Sequence, residues 1–272
     1  MRLPVRLPSA NVSEAFFVPD GERFLPTGWT RGPWSADAQH AGPAAALVAR
    51  AIERLDPEGQ LQVARFTLEV LRPLPLAPLR VEARAVRSGR RVQFAEAVLL
   101  AGDGEGEVAR AAAWRIRPSP EPLPERNLDP PPFPGPADSA EPPMWDPGWN
   151  PNYFEAMQWR FARGGFIQPG PSAAWMRMGV ALVEGEEPSP LSRVLVAADS
   201  GNGISVEFPI DRFLFVNTEL TVHLARMPEG EWVCLDAVTR IGSTGVGLAQ
   251  SVLWDERGRI GSGNQSLLVA PR

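Results

Sequence analysis

The stretch from Ala44 to Ile52 reads AAALVARAI, and it decides the fold class. Its residues are small or apolar around nearly the whole helical circumference. We therefore predict a helix from Gly42 or Pro43 to about Leu55 that is buried on most of its faces. Pro43 suits the first turn, where the N–H that proline lacks is not needed. A helix of this kind requires other elements that cover it.

Four segments that alternate apolar and polar residues follow this helix, as expected for strands. They run from Gln62 to Arg72, Leu79 to Ser88, Arg91 to Ala101 and Val108 to Arg117. One buried helix followed by an antiparallel meander predicts an α+β fold in which the sheet wraps around a central helix. This is the hotdog arrangement.

The same order of segments recurs later in the chain. A helical stretch near Leu191–Ala198 precedes strands predicted at Leu214–Arg226, Glu231–Ile241, Val246–Asp255 and Ile260–Val269. Between the two halves, residues 118–151 hold 13 of the 30 prolines, a density that blocks helices and central strands. We therefore predict a tandem (double) hotdog fold, with an N-terminal domain at 1–117, a linker at 118–151 and a C-terminal domain at 152–272. Since each half has a sheet edge to hide, we expect the two sheets to join edge to edge.

The composition argues against several classes of function. The net charge is −5 and all 27 basic residues are arginine, so lysine-dependent Schiff-base, pyridoxal-phosphate and P-loop chemistry is excluded. Without a basic run, we expect no binding to nucleic acid. Cys234 is the single cysteine and lies in an apolar run, which predicts a buried thiol and no disulfide. With two histidines, His40 and His223, a histidine-rich metal centre is also excluded.

No apolar stretch approaches the roughly 20 residues of a membrane span, and the first residues contain no apolar signal core. We therefore expect a cytoplasmic protein that does not span a membrane.

Four fragments carry a resemblance to a known family: Gln39–Pro43 (QHAGP), Asn217–Leu224 (NTELTVHL), Gly245–Ser251 (GVGLAQS) and Asn264–Val269 (NQSLLV). In this order and spacing they resemble the thioesterase-like superfamily of double-hotdog proteins, whose best-known type is bacterial acyl-CoA thioesterase II. The resemblance covers nearly the whole chain and implies hydrolysis of acyl-CoA without a cofactor or a metal. It leads us to expect a homo-oligomer, either a dimer or a tetramer of double hotdogs.

The resemblance also implies a catalytic set in the second half. The family uses an Asp near the second helix, a Thr or Ser on the next strand and a Gln on the last strand. Asp199 and Gln265 match these places, whereas Asn217 stands where the family has its hydroxyl residue. We hypothesise that Asp199 takes a proton from water while the amides of Asn217 and Gln265 hold that water in place.

Four further residues are candidates for supporting roles. Glu219 shares a face with Asn217 by period-two alternation and could supply a second carboxylate, although a structural or exposed role is favoured. Gly201 and Gly203 could offer backbone N–H groups to a developing oxyanion. His40 opens the first helix, where it would cap the helix, line the domain interface or mark a second site in the N-terminal half.

Two other functions remain open from the sequence. One is a double hotdog that binds an acyl thioester or lipid without turnover, which the departure at Asn217 suggests. The other is a hydratase or dehydratase of the hotdog type. That chemistry needs a histidine beside an aspartate, and neither His40 nor His223 lies in a motif that places it there.

Overall fold

The computed structural model describes residues 14–102, 104, 106–126, 128–143, 147–166 and 168–272. The first half contains helix α1 (Ala41–Glu53) and strands β1 (Ala15–Asp20), β2 (Arg23–Pro26), β3 (Gln62–Val70), β4 (Leu79–Arg87), β5 (Val92–Ala101) and β6 (Gly106–Ile116). The second half contains helices α2 (Tyr153–Ala156), α3 (Pro190–Ala198) and α4 (Gly201–Ile204). Its strands are β7 (Met157–Gly165), β8 (Gln168–Met178), β9 (Ala181–Val183), β10 (Phe213–Asn217), β11 (Glu219–Leu224), β12 (Val233–Ile241), β13 (Val246–Asp255) and β14 (Gly258–Pro271).

These strands form one large sheet, antiparallel apart from the β1–β9 pair. Its order is β7-β8-β12-β13-β14-β11-β3-β6-β5-β4-β2-β1-β9, with β10 paired to β14. The two halves of the chain meet where β11 lies antiparallel to β3, with Leu220 opposite Leu68 and Thr221 opposite Thr67. Counted outward from this junction, the order is β3-β6-β5-β4-β2-β1 on one side and β11-β14-β13-β12-β8-β7 on the other. Strands that correspond in chain order therefore occupy corresponding places, and the halves join edge to edge as expected.

Helix α1 is buried on most faces, as its sequence predicts. Every residue from Gly42 to Ala49 is buried, and Leu47 and Ile52 are completely inaccessible. The helix contacts β3, β4, β5 and β6 on one side and α3 on the other. A Cβ at Gly42 would lie 2.5 Å from the carbonyl oxygen of Val196, so this position needs glycine for the close approach of the two helices. This contact determines the geometry of the candidate site.

The proline-rich segment contacts the second half of the sheet at Phe133 and Pro134. Phe133 packs edge-on against Trp175 and Trp254, with ring centroids 6.1 Å and 6.0 Å apart, and Trp175 Nε1 donates to the carbonyl of Pro134 at 2.8 Å. Cys234 is fully buried in this cluster, and burial raises the pKa of its thiol. The cysteine is therefore a packing residue, as predicted.

The segment predicted as one strand from Leu214 to Arg226 is divided at Thr218. Asn217 lies opposite Leu267, and Thr221 lies opposite Asn264. Residues 218–220, three in number, therefore lie opposite only two residues of β14, 265 and 266. The extra residue is a β-bulge, and it reverses which residues point inward. Leu220 and Val222 are buried, and His223 between Val222 and Leu224 is exposed on the outer face rather than packed inside.

A buried ion pair holds the hairpin between β13 and β14. Asp255 is completely inaccessible and accepts hydrogen bonds from Arg226 Nη2 at 2.6 Å, from the Glu229 N–H at 2.9 Å and from the Gly258 N–H at 3.0 Å. Burial alone would raise the pKa of Asp255, but these donors outweigh it and lower the pKa. The carboxylate is therefore stabilised as an anion.

Replacing Asp255 by asparagine is expected to lower the free energy of unfolding by about 3 kcal/mol, because it leaves the Arg226 charge without its partner. Urea unfolding measures this change. Asp236→Asn is the matched control, since its ion pair with Arg163 is partly exposed and pairs of that kind contribute roughly 0–1 kcal/mol. Equal loss in both variants would contradict the structural role of Asp255.

Candidate functional site

The candidate site lies where the start of α1 meets the end of α3. His40 immediately precedes α1, and Asp199 immediately follows α3. The N-terminus of α1 carries a partial positive charge that favours an anion such as the Asp199 carboxylate. The site is therefore built from both halves of the chain.

The structure brings the three predicted catalytic residues together around Asp199. Asn217 Nδ2 donates to Asp199 Oδ1 at 2.8 Å. Gln265 Nε2 donates to the Asp199 backbone carbonyl at 3.0 Å and lies 3.3 Å from Oδ1. His40 Nδ1 lies 3.0 Å from Oδ2. Four side chains from a loop, a helix end and two strands thus form one cluster.

Asp199 is held as an anion although it is 4% exposed. Burial by itself would raise the pKa of its carboxyl group. The charge and hydrogen bond of His40, the Asn217 amide and the Gly42 N–H act in the opposite direction, and together they lower the pKa. Both carboxylate oxygens are consequently engaged by protein donors.

The hydrogen of His40 is assigned to Nδ1. Two acceptors 3.0 Å apart would repel each other, so Nδ1 must donate to the ionised Asp199. The Gly42 N–H lies 3.2 Å from the same nitrogen and is satisfied by the carboxylate. In neutral His40, Nε2 is then the unprotonated nitrogen, and within the described part of the chain it has no hydrogen-bond partner.

Tyr153 fixes the plane of the His40 ring. The two rings are stacked with centroids 3.7 Å apart and planes within 7° of each other. The Tyr153 hydroxyl donates to the carbonyl of Val196 at 2.7 Å and lies 3.0 Å from Ser200 Oγ. Nothing in the sequence pattern singled out Tyr153, because it lies more than 100 positions from His40.

Gln265 is oriented by two bonds to the turn after α3. Its Oε1 accepts from the Asn202 N–H at 3.0 Å while its Nε2 donates to Asp199. A Cβ at Gly201 would lie 2.9 Å from the Gln265 oxygen, so this glycine makes room for the amide. Gly203 lines the cavity with open space around it. Of the two glycines proposed for the oxyanion, Gly203 therefore faces the site and Gly201 packs beneath it.

Glu219 has the structural role favoured from the sequence and is not among the described residues that line the cavity. Because of the bulge at Thr218, its side chain points to the outer face of the sheet. There its carboxylate accepts from the Ser266 N–H at 2.8 Å and from Thr221 Oγ1 at 2.9 Å. Period-two alternation predicted that Glu219 and Asn217 would lie on the same face of the strand. The extra residue at Thr218 places them on different faces.

A cavity of about 400 Å³ opens at the cluster. His40, Asp199 and Asn217 contribute to its wall, and the ionisable side chains among its described lining residues are His40, Asp199 and Arg72. Much of the remaining wall is apolar: Val70, Leu74, Phe154, Trp159, Phe166 and Ile204. The volume and mixed lining are typical of a small-molecule site.

A second concavity, of about 550 Å³, lies on the outer face of the first half of the sheet. Both arginines in its lining are paired: Arg84 with Glu96 at 2.7 Å, and Arg110 with the neighbouring Glu107 at 2.8 Å. These pairs are exposed, so we assign the chemistry to the smaller cavity.

Each half of the chain matches a family domain. The acyl-CoA thioesterase N-terminal domain matches residues 30–116, and the acyl-CoA thioesterase C-terminal domain matches residues 134–269. No curated protein sequence matched the chain.

Solved structures show the same fold. A Thermobifida fusca protein is 19% identical with a TM-score of 0.72, covering 98% of this chain and 99% of its own. A hot dog fold protein of Alicyclobacillus acidocaldarius is 20% identical with a TM-score of 0.69, covering 96% of both chains. An acyl-CoA thioesterase II of Mycobacterium marinum is 13% identical with a TM-score of 0.62, covering 93% of both. At these identities the likeness concerns the fold alone.

Two other features are absent from the described ranges. None of the helices there has the length and hydrophobicity required to cross a membrane. No group of three or more histidine, cysteine, aspartate or glutamate side chains is arranged there to hold a metal ion.

Proposed function

Because this chain belongs to the acyl-CoA thioesterase family, we propose that it hydrolyses acyl-CoA thioesters in the cavity beside His40 and Asp199. The observation that carries the proposal is the buried His40–Asp199 pair, which lines a largely apolar cavity. An acyl chain would occupy the apolar part, near Phe154, Trp159 and Phe166, with its thioester carbonyl at the pair.

The pair supplies a general base for water. His40 Nε2 would accept a proton from water as the water oxygen attacks the thioester carbon, and Asp199 would stabilise the imidazolium that forms. This assigns the proton to His40 instead of Asp199, because the oxygens of Asp199 are already engaged by donors. Asn217 and Gln265 would then act by positioning the carboxylate.

The second step returns the proton. As the tetrahedral intermediate collapses, its C–S bond breaks and the imidazolium gives its proton to the departing sulfur. The products are a carboxylic acid and free coenzyme A. The Gly203 backbone at the cavity wall is our candidate for contact with the oxyanion.

We also propose that the two halves are hotdog domains in tandem, divided by the linker at 118–151. The equal strand order on either side of the β3–β11 junction supports this division. Each central helix then contributes one end to a single site, His40 from the first domain and Asp199 from the second.

The same geometry favours hydration of an unsaturated acyl thioester as a second candidate function. The sequence argued against this reaction because neither histidine lies in a motif beside an aspartate, yet the fold places His40 3.0 Å from Asp199. Hydration requires the proton acceptor to face the carbon chain, whereas hydrolysis requires it to face the carbonyl.

Purified protein should be incubated with saturated and 2,3-unsaturated acyl-CoAs of several lengths. Release of free thiol supports hydrolysis, and loss of the enoyl absorbance without thiol release supports hydration. Lipid or acyl-CoA that remains bound and unchanged in native mass spectrometry would contradict both reactions and support a binding protein.

Replacing Asn217 by threonine should leave thioesterase activity equal or higher. Threonine is the residue type of the family at this place, and its hydroxyl can replace the donor that now contacts Asp199 at 2.8 Å. Asn217→Val is the control because valine has the shape of threonine without the donor, and we expect kcat to fall roughly 10-fold. Equal rates of both variants would show that this donor is not needed.

A further inference from the structure

The rim of the proposed catalytic cavity carries a positive charge from Arg72. Arg72 follows β3 on an exposed segment and contributes to the cavity lining. Its guanidinium makes no ion pair or side-chain hydrogen bond with the described residues. Many other arginines are paired, as Arg50 is with Glu186 at 2.6 Å and Arg84 with Glu96 at 2.7 Å.

A second guanidinium lies beside the same cavity. Trp34 lines the cavity, and the Arg272 guanidinium carbon is 5.7 Å from the Trp34 ring centroid. Arg272 Nε also donates to the carbonyl of Ile210 at 3.0 Å, which fixes the side chain in place. A guanidinium held against an aromatic face keeps its remaining N–H groups available to an oxyanion.

The described residues that line the cavity carry little negative charge. Among the described lining residues the one carboxylate is Asp199, which is buried below the rim with both oxygens engaged by Asn217 and His40. The mouth is therefore locally positive although the chain carries a net charge of −5. Such a site fits a ligand whose apolar end lies inside and whose anionic end remains outside.

We propose that Arg72 and Arg272, with Trp34 between Arg272 and the cavity, bind the phosphates of the coenzyme A moiety. This inference rests on the proposed function, because it assigns the leaving-group end of the same substrate. It also makes Arg72 a specificity-determining residue, since a thioester without phosphates would gain nothing from the rim.

The test compares two thioesters that have the same acyl group, one of coenzyme A and one of N-acetylcysteamine, which lacks phosphates. Arg72→Gln should lower the preference for the coenzyme A substrate, measured as the ratio of the two kcat/KM values, by about 3-fold to 10-fold at low salt. Arg272→Gln should act in the same direction, and both effects should shrink as ionic strength rises.

Arg259→Gln is the matched control. Arg259 is also exposed and forms no side-chain pair with the described residues, but it lies near the start of β14, whereas Arg272 follows its end. Its removal changes the net charge equally and should leave both kcat/KM values unaltered. An effect as large as that of Arg72→Gln would reduce the result to net charge and overturn the inference.

Calorimetric titration with free coenzyme A separates this inference from the proposed reaction. Weaker binding by Arg72→Gln, in a protein that releases no thiol, would support the rim site while the hydrolase proposal fails. Hydrolysis with an unchanged substrate ratio and unchanged coenzyme A affinity in Arg72→Gln would overturn the rim site alone. Thioesters of acyl carrier protein provide a third substrate. If Arg72→Gln lowered kcat/KM for these thioesters alone, the rim site for coenzyme A would also be overturned, because Arg72 would then contact the surface of the carrier protein.

Discussion

Replacing Asp199 by asparagine is expected to lower kcat for acyl-CoA hydrolysis by roughly 10²-fold to 10⁴-fold. The variant keeps the shape of the side chain but removes the negative charge that holds the hydrogen on Nδ1 of His40 and stabilises its imidazolium form. In the asparagine variant one of the two carboxylate oxygens becomes an N–H₂ group, so one donor that now contacts Asp199 loses its acceptor. Thiol release under saturating substrate measures the change, and a variant that keeps more than a tenth of the wild-type rate would contradict the assignment.

The same variant has a defined effect on stability. The pKa of Asp199 is lowered from its ordinary value of 3.8, so its ionisation stabilises the fold at pH values above the unfolded pKa. That contribution is lost as the pH falls through the still lower folded pKa. At pH 7, Asp199→Asn should lower the free energy of unfolding by about 1–3 kcal/mol because of the unpaired donor. Below pH 4 the difference from wild type should narrow, and urea unfolding across this range provides the measurement.

Replacing His40 by asparagine is expected to lower kcat by roughly 10²-fold to 10⁴-fold as well, because it removes the proposed general base. Asparagine is well suited to precede a helix, and its amide can take the place of Nδ1 beside Asp199 and Gly42. The variant lacks any group at the position of Nε2. The loss should therefore appear in kcat with a small change in the melting temperature.

His223→Asn is the control for this variant. His223 is the other histidine of the chain and is exposed on the outer face of β11, opposite Ser262 and Arg65. Its replacement should leave kcat and its pH dependence unchanged. If His40→Asn retained wild-type turnover while Asp199→Asn did not, the proton would go to Asp199 itself, as the sequence-based hypothesis had it.

The local sequence determined the elements of this protein. The apolar circumference of Ala44–Ile52 predicted a helix buried on most faces, and α1 is buried in this way. Alternating segments predicted the strands of the meander to within a few residues. These properties depend on neighbours three or four residues apart in a helix and two apart in a strand, so the sequence pattern contains them.

The candidate site was predictable in part. Asp199, Asn217 and Gln265 were identified through the resemblance of whole fragments, and the structure brings these side chains within hydrogen-bonding distance. Asn217 and Gln265 lie 18 and 66 residues after Asp199 along the chain, and such separations do not by themselves require contact.

Tertiary structure alone decided the remaining features. Packing of α1 against α3 places His40 beside Asp199, and α2 places Tyr153 on the imidazole, where its hydroxyl bonds Val196 of α3. One extra residue at Thr218 turns Glu219 outward, an outcome that period-two alternation cannot register because the bulge exists only relative to β14. A contact between residues more than 100 positions apart depends on which elements pack together. The periodicity of a sequence predicts whether a segment forms a helix or a strand, but it does not predict which other segment that element will pack against.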